Sequence, residues 1–328
     1  MRICFDLTID ENYTGIGQVA DKYLTELKKI KNIEIIKYGK RKSLDYKFCF
    51  PSYYNIFQHV KFYFFLKKNK PEVLFIPHYF LPFLIPKNIK IYVIVHDVMA
   101  ITRANIFFGQ FARLKSSILF YFLKYNLSFR NNLKIITPSY SVSKEIQFLF
   151  NRKSLVIPNG LFEILDLGIL PKENFYLYIG NSRRHKNILN LLDYFSTQNR
   201  AYLKVISILK SKSNYNSKYV HIIGKVESKI DVLKLVSSSQ GVIVPSFCEG
   251  FGLPVIESIY YSGKAFASDI DVFKEFYGLN LDYFSPHSLS QLDITLNFNN
   301  SYIPRSTLKI NNLFDWQELV YFIKSEFI

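Results

Sequence analysis

Two glutamates eight residues apart flank a glycine-rich turn in the second half of the chain. Residues 244–257 read VPSFCEGFGLPVIE, which places Glu249 before the turn and Glu257 after it. Glycines at 250 and 252 let the backbone approach a ligand closely. Pro254 favours the start of a helix, and the free amides of a helix start attract an anion such as a diphosphate. The string therefore predicts a strand, a loop that reaches a ligand, and a helix whose first turn contains Glu257.

A plainer interpretation of this string stays open, because an acidic residue near a helix start also stabilises the helix dipole. His96 offers a second candidate, since it directly follows the apolar run 91–95. Ligands of open α/β sheets bind outside the carboxyl ends of the strands, where His96 is then expected. Asp97 either orients the imidazole or caps the segment that follows.

Alternating short apolar runs and amphipathic segments predict parallel sheets covered by helices. We expect two doubly wound units joined near 160–172, with the ligand in the cleft between them. The predicted strands are 3–9, 33–38, 73–76, 91–95, 134–137, 154–157, 175–180, 202–208, 221–223, 241–245 and 265–268. The predicted helices are 17–31, 54–69, 105–128, 141–150, 188–196, 230–239 and 254–262.

The composition excludes several classes of protein. The chain has 328 residues, of which 49% are hydrophobic, so it is too apolar to be disordered. Its three cysteines lie far apart with no CxxC spacing, which argues against a disulfide framework or a zinc site and favours a reducing cytoplasm. The sequence shows neither an apolar run long enough to span a bilayer nor a signal peptide, so we expect a cytoplasmic protein.

The positive charge lies almost entirely in the first half. Residues 1–160 contain 25 basic and 10 acidic side chains, against 17 and 16 in the remainder. No acidic residue occurs between Asp97 and Glu145, where basic side chains alternate with phenylalanine and tyrosine. This pattern favours an anionic membrane surface over nucleic acid, because no nucleic-acid-binding motif accompanies it. A solvated basic face over an ordinary aromatic core is the third interpretation.

Several strings along the chain together resemble a known family. They are TGIG at 14–17, VHD at 95–97, ITPS at 136–139, IPNG at 157–160, YIGNSRRHKN at 178–187, the glutamate string at 244–257 and FDW at 314–316. Their order and spacing resemble the retaining glycosyltransferases of the GT-4 group. The resemblance implies an α/β GT-B fold with two Rossmann-like domains, an acceptor domain at 1–165 and a nucleotide-sugar donor domain at 166–310. Residues 311–328 are then expected to form a helix that crosses back to the first domain.

The same resemblance implies roles for individual residues. Glu249 and His96 are similar to the family residues that contact the transferred sugar, and Glu257 is similar to the one that binds the ribose. Lys186 resembles the lysine that binds the donor diphosphate, and both Lys186 and Glu249 are predicted to face solvent in the empty cleft. Asn181 stands where many members have an arginine, so Arg183 or Arg184 is expected to substitute for it. Further donor contacts are expected from Gly15, Gly17, Gly250, Phe251, Gly252 and Leu253.

Two other patterns are weighed and set aside. Residues 15–20 match the dinucleotide fingerprint G-x-G-x-x-A, but the first strand ends too early and the second ends without the ribose-binding acid. Asp269 and Asp271 imitate a D-x-D metal site without a third oxygen ligand nearby. We therefore expect neither a dehydrogenase nor a bound metal or cofactor.

The resulting hypothesis is a retaining hexosyltransferase that uses a nucleotide-diphosphate sugar, with GDP-mannose as the first candidate donor. The expected acceptor is a glycan or lipid-linked oligosaccharide of O-antigen or capsule synthesis, held at the inner face of the cell membrane. The alternatives are a non-catalytic nucleotide-sugar-binding protein or a basic scaffold that binds membrane or nucleic acid.

Overall fold

The computed structural model describes residues 1–9, 15–40, 45–50, 55–104, 112–128, 130–162, 164–168, 170–197, 202–207, 217–226, 228–278, 281–290, 292 and 315–328. The chain forms two compact units. Unit 1 comprises Met1–Thr102, Arg113–Phe162 and Trp316–Ile328, and unit 2 comprises Arg103–Ala112 and Glu163–Asp315. Unit 1 thus takes up the end of the chain after unit 2 has been completed.

Unit 1 contains a seven-stranded parallel sheet in the order β3-β2-β1-β4-β5-β6-β7. Alternate residues of its strands point to opposite faces, as the pleat requires. In β1, for example, Cys4 belongs to one buried cluster while Ile3 and Phe5 belong to the other. The strands are β1 (Arg2–Leu7), β2 (Glu34–Gly39), β3 (Phe48–Cys49), β4 (Val73–Ile76), β5 (Lys90–Ile94), β6 (Leu133–Thr137) and β7 (Ser154–Val156).

Helices cover both faces of this sheet. Three of them, α2, α4 and α5, bury apolar side chains in the cluster that contains Cys4, and α1 packs on the opposite cluster. Ser139 caps the start of α5 by accepting from Val142 N, and Asn55 caps α2 in the same way. The bounds are α1 (Gly15–Lys28), α2 (Ile56–Asn69), α3 (Met99–Thr102), α4 (Ala112–Ser128) and α5 (Tyr140–Phe150).

Unit 2 contains a six-stranded parallel sheet in the order β10-β9-β8-β11-β12-β13. Its strands are β8 (Tyr176–Ile179), β9 (Leu203–Ile206), β10 (Val220–Ile222), β11 (Val242–Val244), β12 (Ala265–Ser268) and β13 (Asp282–Phe284). Its helices are α6 (Ile188–Thr197), α7 (Lys229–Ser238), α8 (Leu253–Tyr261) and α9 (Asp271–Tyr277), and a single 3-10 turn spans Arg184–Lys186.

The predicted α/β class with two parallel sheets is confirmed. All eleven predicted strands are present within two residues of their expected ends, whereas β3, β13, α3 and α9 were not predicted. The predicted helix at 105–128 is observed from Ala112, and residues 105–111 lie outside the described part of the chain. In the described residues, no helix combines the length and the apolar character that a membrane span requires.

The last helix of the chain, α10 (Gln317–Phe327), completes the core of unit 1. Leu319, Phe322 and Ile323 are buried in the same cluster as α1. Trp316, just before the helix, donates its indole N–H to the carbonyl of Leu161 at 2.9 Å. A buried tryptophan with its polar atom satisfied fixes where this segment lies on unit 1.

Glu326 of α10 is predicted to make the stability of unit 1 depend on acid pH. Burial would raise the pKa of its carboxyl, but hydrogen bonds from Lys134, Tyr92 and Lys90 outweigh burial and lower the pKa from 4.5 to about 2. The folded chain then binds fewer protons than the unfolded chain between these values. The stabilisation is therefore complete above pH 4.5 and is lost as pH falls towards 2.

Replacing Glu326 by glutamine should lower the free energy of unfolding at neutral pH by about 1 kcal/mol, because the ion pairs are only partly shielded from solvent. Urea unfolding at pH 5 and pH 3 should then show a smaller difference in midpoint for the variant than for the native chain. Glu318→Gln, an exposed change on the same helix, is the control. An unchanged pH dependence in Glu326→Gln would contradict the assignment.

Candidate functional site

The topology of unit 2 creates one point at which the chain reverses direction across the sheet. From β8 the chain proceeds to β9 and β10 on one side, and from β11 it proceeds to β12 and β13 on the other. Because β8 and β11 are neighbours, the loops that leave their carboxyl ends lie side by side. This reversal point is where open α/β sheets bind ligands. Both loops contain residues that the sequence singled out.

Lys186 and Glu249 meet at this point. The Lys186 Nζ atom donates to Glu249 Oε1 at 2.6 Å, and the Ser246 hydroxyl donates to the same oxygen at 2.7 Å. The two loops are also joined through their backbones, since Phe247 N donates to the His185 carbonyl at 2.8 Å. The predicted phosphate-binding cation and the predicted sugar-binding acid are therefore direct partners.

The expectation that Glu249 and Lys186 both face solvent is wrong. Only 8% of the Glu249 side chain and 19% of the Lys186 side chain are exposed. Opposite charges tolerate burial when they pair and when further hydrogen bonds satisfy their remaining atoms. The pair, together with Ser246, meets this condition for one carboxylate oxygen. A ligand at this site has to compete with an existing ion pair.

The glycine turn between Glu249 and the start of α8 has the geometry that the sequence predicts. Gly252 has φ +90°, a left-handed conformation, and a Cβ atom at this position would lie 2.3 Å from the Phe273 ring. Pro254 occupies the first turn of α8, and Leu253 begins the helix. Phe251 is buried and packs edge-on against Phe276. Near Gly250 and Phe251, a ligand is therefore offered backbone groups rather than the phenylalanine ring.

Glu257 differs from its predicted position. It is the fifth residue of α8 and so lies in the second helical turn, because the helix begins at Leu253 instead of Pro254. Its carboxylate forms an ion pair with Lys229, the first residue of α7. Glu257 is largely buried, whereas about a third of the Lys229 side chain is exposed. Dipole stabilisation at a helix start therefore does not explain why an acid stands here.

The positions that precede Lys186 are open to solvent. Asn181, Arg183 and Arg184 are all exposed. The Asn181 side chain accepts a hydrogen bond from Arg183 N at 3.1 Å, and its carbonyl accepts one from Tyr178. Within the described residues, no ion pair engages either arginine. Both guanidinium groups are thus available to an anion.

His185 was not predicted as part of the site. It lies between Arg184 and Lys186 in sequence, and its ring is buried. Burial, together with the Lys186 charge, lowers its pKa to about 4. The imidazole is therefore neutral at physiological pH. A polar residue inside a basic string gives no sign of burial in the sequence, which is why this residue was missed.

The unit 1 candidates lie at the carboxyl edge of its own sheet. His96 is buried two residues after β5 and donates from Nε2 to the Pro77 carbonyl at 2.9 Å. Burial lowers its pKa to about 4. Of the two roles considered for Asp97, capping is observed, since its carboxylate accepts from Met99 N at the start of α3. The imidazole is held by a backbone carbonyl instead.

Gly15 and Gly17 lie in the first turn of α1, and Gly17 is buried. The helix begins at Gly15, two residues before the predicted start at 17. Thr14, which precedes them in the TGIG string, lies outside the described residues. Both glycines therefore belong to a helix start, whose amides can attract an anion.

The acidic pair at 269 and 271 is separated by its local structure. Asp269 forms an ion pair with Lys274, and Asp271 is the first residue of α9. Over the part of the chain that the structure describes, no three histidine, cysteine, aspartate or glutamate side chains are grouped as a metal would require. The expectation of a metal-independent protein stays a prediction.

Comparison with known proteins shows similarity to glycosyltransferases. Residues 163–282 match the family model described as glycosyl transferases group 1. The chain is 24% identical over 222 residues to the O-antigen chain mannosyltransferase RfbU of Salmonella typhimurium, a match that covers 64% of this chain and 60% of that protein. The chain thus spans less than two thirds of the length of this relative.

Solved structures extend the similarity to the fold of the whole chain. Sucrose-phosphate synthase from Thermosynechococcus elongatus superposes with a TM-score of 0.75 at 13% identity, covering 99% of this chain and 98% of that one. WaaG, a glycosyltransferase involved in lipopolysaccharide biosynthesis, gives a TM-score of 0.66 at 13% identity and covers 99% and 95%. The resemblance to group 1 glycosyltransferases that the motifs predicted is therefore confirmed, and the chain has the GT-B fold of two Rossmann-like units.

Proposed function

We propose that this protein is a hexosyltransferase that transfers a sugar from a nucleotide-diphosphate donor to a hydroxyl acceptor. The observation that carries the proposal is the Lys186–Glu249 pair beside the glycine turn at the reversal point of unit 2. A cation, a carboxylate and free helix-start amides within two adjacent loops are the groups that a sugar diphosphate needs. The glycosyl transferases group 1 match over the same residues supports this assignment.

The proposed chemistry assigns each group one task. The acceptor hydroxyl attacks the anomeric carbon, the bond from that carbon to the diphosphate breaks, and the departing phosphate oxygen takes the hydroxyl proton. Lys186 and the amides near Gly252 stabilise the charge that develops on the diphosphate. Glu249 accepts hydrogen bonds from the sugar hydroxyls once Lys186 turns to the phosphate. Attack from the same face retains the anomeric configuration, and no residue is proposed as a covalent nucleophile.

Mannose is the first candidate for the transferred sugar, with GDP as its carrier. The support is the similarity to an O-antigen chain mannosyltransferase and to a lipopolysaccharide glycosyltransferase. The proposed acceptor is a glycan or lipid-linked oligosaccharide of cell-surface polysaccharide synthesis. We further propose that the protein works in the cytoplasm, at the inner face of the membrane.

A thermal-shift panel of GDP, UDP, dTDP, ADP and NAD tests the donor proposal. A ligand that binds only the folded chain stabilises it by about 2.7 kcal/mol at a hundred times its dissociation constant. Stabilisation by one nucleoside diphosphate would identify the base of the donor, and transfer assays with the matching sugars would follow. A response to NAD alone would overturn the proposal, and binding without turnover would favour a non-catalytic nucleotide-sugar-binding protein.

The support for a membrane partner comes from two helices on the same face of the unit 1 sheet. Helix α2 exposes Ile56, Phe57, Val60 and Phe64, and α4 exposes Leu114, Ile118, Tyr121 and Tyr125. The α4 residues follow helical spacing and form one stripe. Phe83, itself 40% exposed, contacts His59 of α2 and Phe122 of α4, so the two helices are neighbours. Neither helix contains an acidic residue.

The basic and aromatic region at 97–145 contributes less to this surface than the sequence implied. Phe120 and Phe122 pack against the core, Lys134 pairs with Glu326, and Phe107, Phe108 and Phe111 lie outside the described residues. Helix α2, which the sequence reasoning left out, supplies exposed phenylalanines and the cations Lys61, Lys67 and Lys68. Apolar side chains rimmed by lysine suit an anionic bilayer surface.

Replacing both Phe57 and Phe64 by serine is predicted to weaken binding to anionic lipid vesicles about tenfold or more, because each ring would lose its apolar contact with the lipid. Flotation with anionic and neutral vesicles measures the effect. Tyr321→Ser is the matched control, since Tyr321 is 67% exposed on α10, which covers the opposite sheet face. Binding to duplex DNA in preference to anionic vesicles would count against a membrane partner.

A further inference from the structure

A buried aspartate and a buried histidine lie at the carboxyl edge of the unit 1 sheet, outside the residues discussed so far. Asp6 is near the end of β1, and His78 follows β4, the strand that pairs with β1. Both are fully or almost fully buried, at 0% and 3% exposed. The chain reverses direction between these two strands, as it does between β8 and β11 in unit 2.

The hydrogen bonds of His78 fix which of its ring nitrogens carries the proton. Phe80 N lies 3.1 Å from Nδ1, and a backbone N–H can only donate, so Nδ1 holds a lone pair. The proton is therefore on Nε2, which lies 3.0 Å from Asp6 Oδ2. Thr8 Oγ1 lies 3.1 Å from the same nitrogen. His78 is thus tied to β1 at one nitrogen and to its own turn at the other.

Asp6 is held as a charged acceptor by several donors. Besides His78, the Tyr38 hydroxyl donates to Oδ2 at 2.7 Å, and Thr8 N donates to Oδ1 at 2.7 Å. A buried carboxylate with several donors is stable in its ionised form. Asp6 therefore presents only acceptors to His78, which reinforces the Nε2-protonated ring.

The turn that His78 closes directly follows Pro77, and the Pro77 carbonyl is hydrogen-bonded to His96. His78 and Phe80 close the turn after Pro77, and the Pro77 carbonyl accepts from His96 Nε2 at 2.9 Å. A carbonyl can only accept, so the proton of a neutral His96 is on Nε2 as well. Nδ1 of His96 then carries a lone pair. In this form His96 can accept a hydrogen bond from a hydroxyl but cannot donate one through that nitrogen.

We propose that Asp6 and His78 are positioning residues for His96, which they hold as an Nε2-protonated hydrogen-bond acceptor for a hydroxyl of a sugar substrate. They act through the Pro77 carbonyl and do not touch the substrate. The assignment of the sugar hydroxyl rests on the proposed function, whereas the protonation state of the His96 ring does not. The two parts can therefore be tested separately.

The direct test is the nitrogen NMR spectrum of the full chain labelled with 15N-histidine, with His96 assigned by the signals lost in His96→Asn. Native protein should show His96 protonated at Nε2 and unprotonated at Nδ1 at neutral pH. A His96 ring that is protonated at Nδ1 would overturn the proposal. This result needs no variant and does not depend on the activity of the protein.

Asp6→Asn is the informative substitution. If the oxygen of the new side chain still accepts from Thr8 N, its NH2 group faces His78 Nε2. Nε2 must then accept a hydrogen bond, so the ring proton has to move to Nδ1. That proton would then oppose Phe80 N–H and open the turn. We expect mixed protonation of His96 and a fall in kcat of about tenfold, with little change in nucleoside diphosphate affinity. An unchanged His96 spectrum in a folded Asp6→Asn would contradict the proposal.

His78→Asn provides a rescue control should Asp6→Asn fail to fold. The side-chain carbonyl that this substitution introduces can still accept from Phe80 N and close the turn, so His96 should keep its native spectrum and more of its activity than in His78→Leu. Equal loss in both His78 variants would show that turn closure is not what matters. A native spectrum in a protein without transferase activity would refute the proposed function and leave the positioning role intact.

Discussion

Replacing Glu249 by glutamine is expected to lower the rate of sugar transfer about a hundredfold or more while the chain stays folded. Glutamine keeps the shape of the side chain but removes the charge that pairs with Lys186. A single preorganised electrostatic contact to a reacting group contributes on the order of a hundred- to a thousandfold in kcat. Initial rates at saturating donor, together with the thermal unfolding midpoint, measure the two effects separately.

Swapping the two charges separates pairing from chemistry. The double variant Lys186→Glu with Glu249→Lys restores an ion pair at the same place, so most of the stability lost in either single variant should return. Transfer should not return, because a carboxylate at 186 repels the donor diphosphate. Recovery of activity along with stability would show that the pair only holds the two loops together.

A matched control exists on α7. Lys234 and Asp231 form an exposed pair at 3.9 Å within the same unit, and Lys234→Ala removes a lysine charge away from the reversal point. We expect this variant to transfer sugar at the native rate and to unfold at nearly the native midpoint, since exposed pairs contribute little. A matching loss of activity in Lys234→Ala would point to net charge instead of the site.

Replacing Gly252 by alanine should destabilise the chain by about 3 kcal/mol and abolish donor binding. A left-handed backbone costs an L-residue about 1–2 kcal/mol, and displacing a packed ring adds about 1–3 kcal/mol. Here φ is +90° and the new Cβ would meet the Phe273 ring at 2.3 Å. Because the turn leads directly into α8, its distortion also moves the helix-start amides.

Gly224→Ala is the control for backbone strain alone. Gly224 has a similar φ of +85°, but nothing lies within 4 Å of its added Cβ. Denaturant unfolding of both variants should give the smaller loss for Gly224→Ala, and the difference reports the contact with Phe273. Comparable losses in the two variants would mean that the Phe273 ring moves aside freely.

The sequence predicted most of the fold because buried parallel strands are short apolar runs that stand out from their surroundings. It missed β3, which has only the two residues Phe48–Cys49, and β13, whose first residue is the aspartate of Asp282–Phe284. Neither carries enough apolar pattern to be recognised. Strand pairing gives them their structure, and pairing partners are distant in sequence.

Contacts between residues that are distant in sequence also limited the prediction of the site. The glycine turn was predictable because its conformational demand is local and falls on Gly252. The contacts of Lys186 with Glu249, of Lys229 with Glu257 and of His78 with Asp6 join residues 63, 28 and 72 positions apart. Sequence patterns of single elements carry no information on such pairs. The burial of Lys186 and Glu249 was mispredicted for this reason.

The way unit 1 takes up the end of the chain bears on how the protein is made. Its buried cluster around α1 includes Trp316, Leu319 and Phe322, which are translated only after every residue of unit 2. At synthesis rates of about 5–20 residues per second, unit 1 exposes part of its apolar surface for about ten seconds or more while unit 2 is translated. Of the two units, unit 1 is thus begun first and completed last.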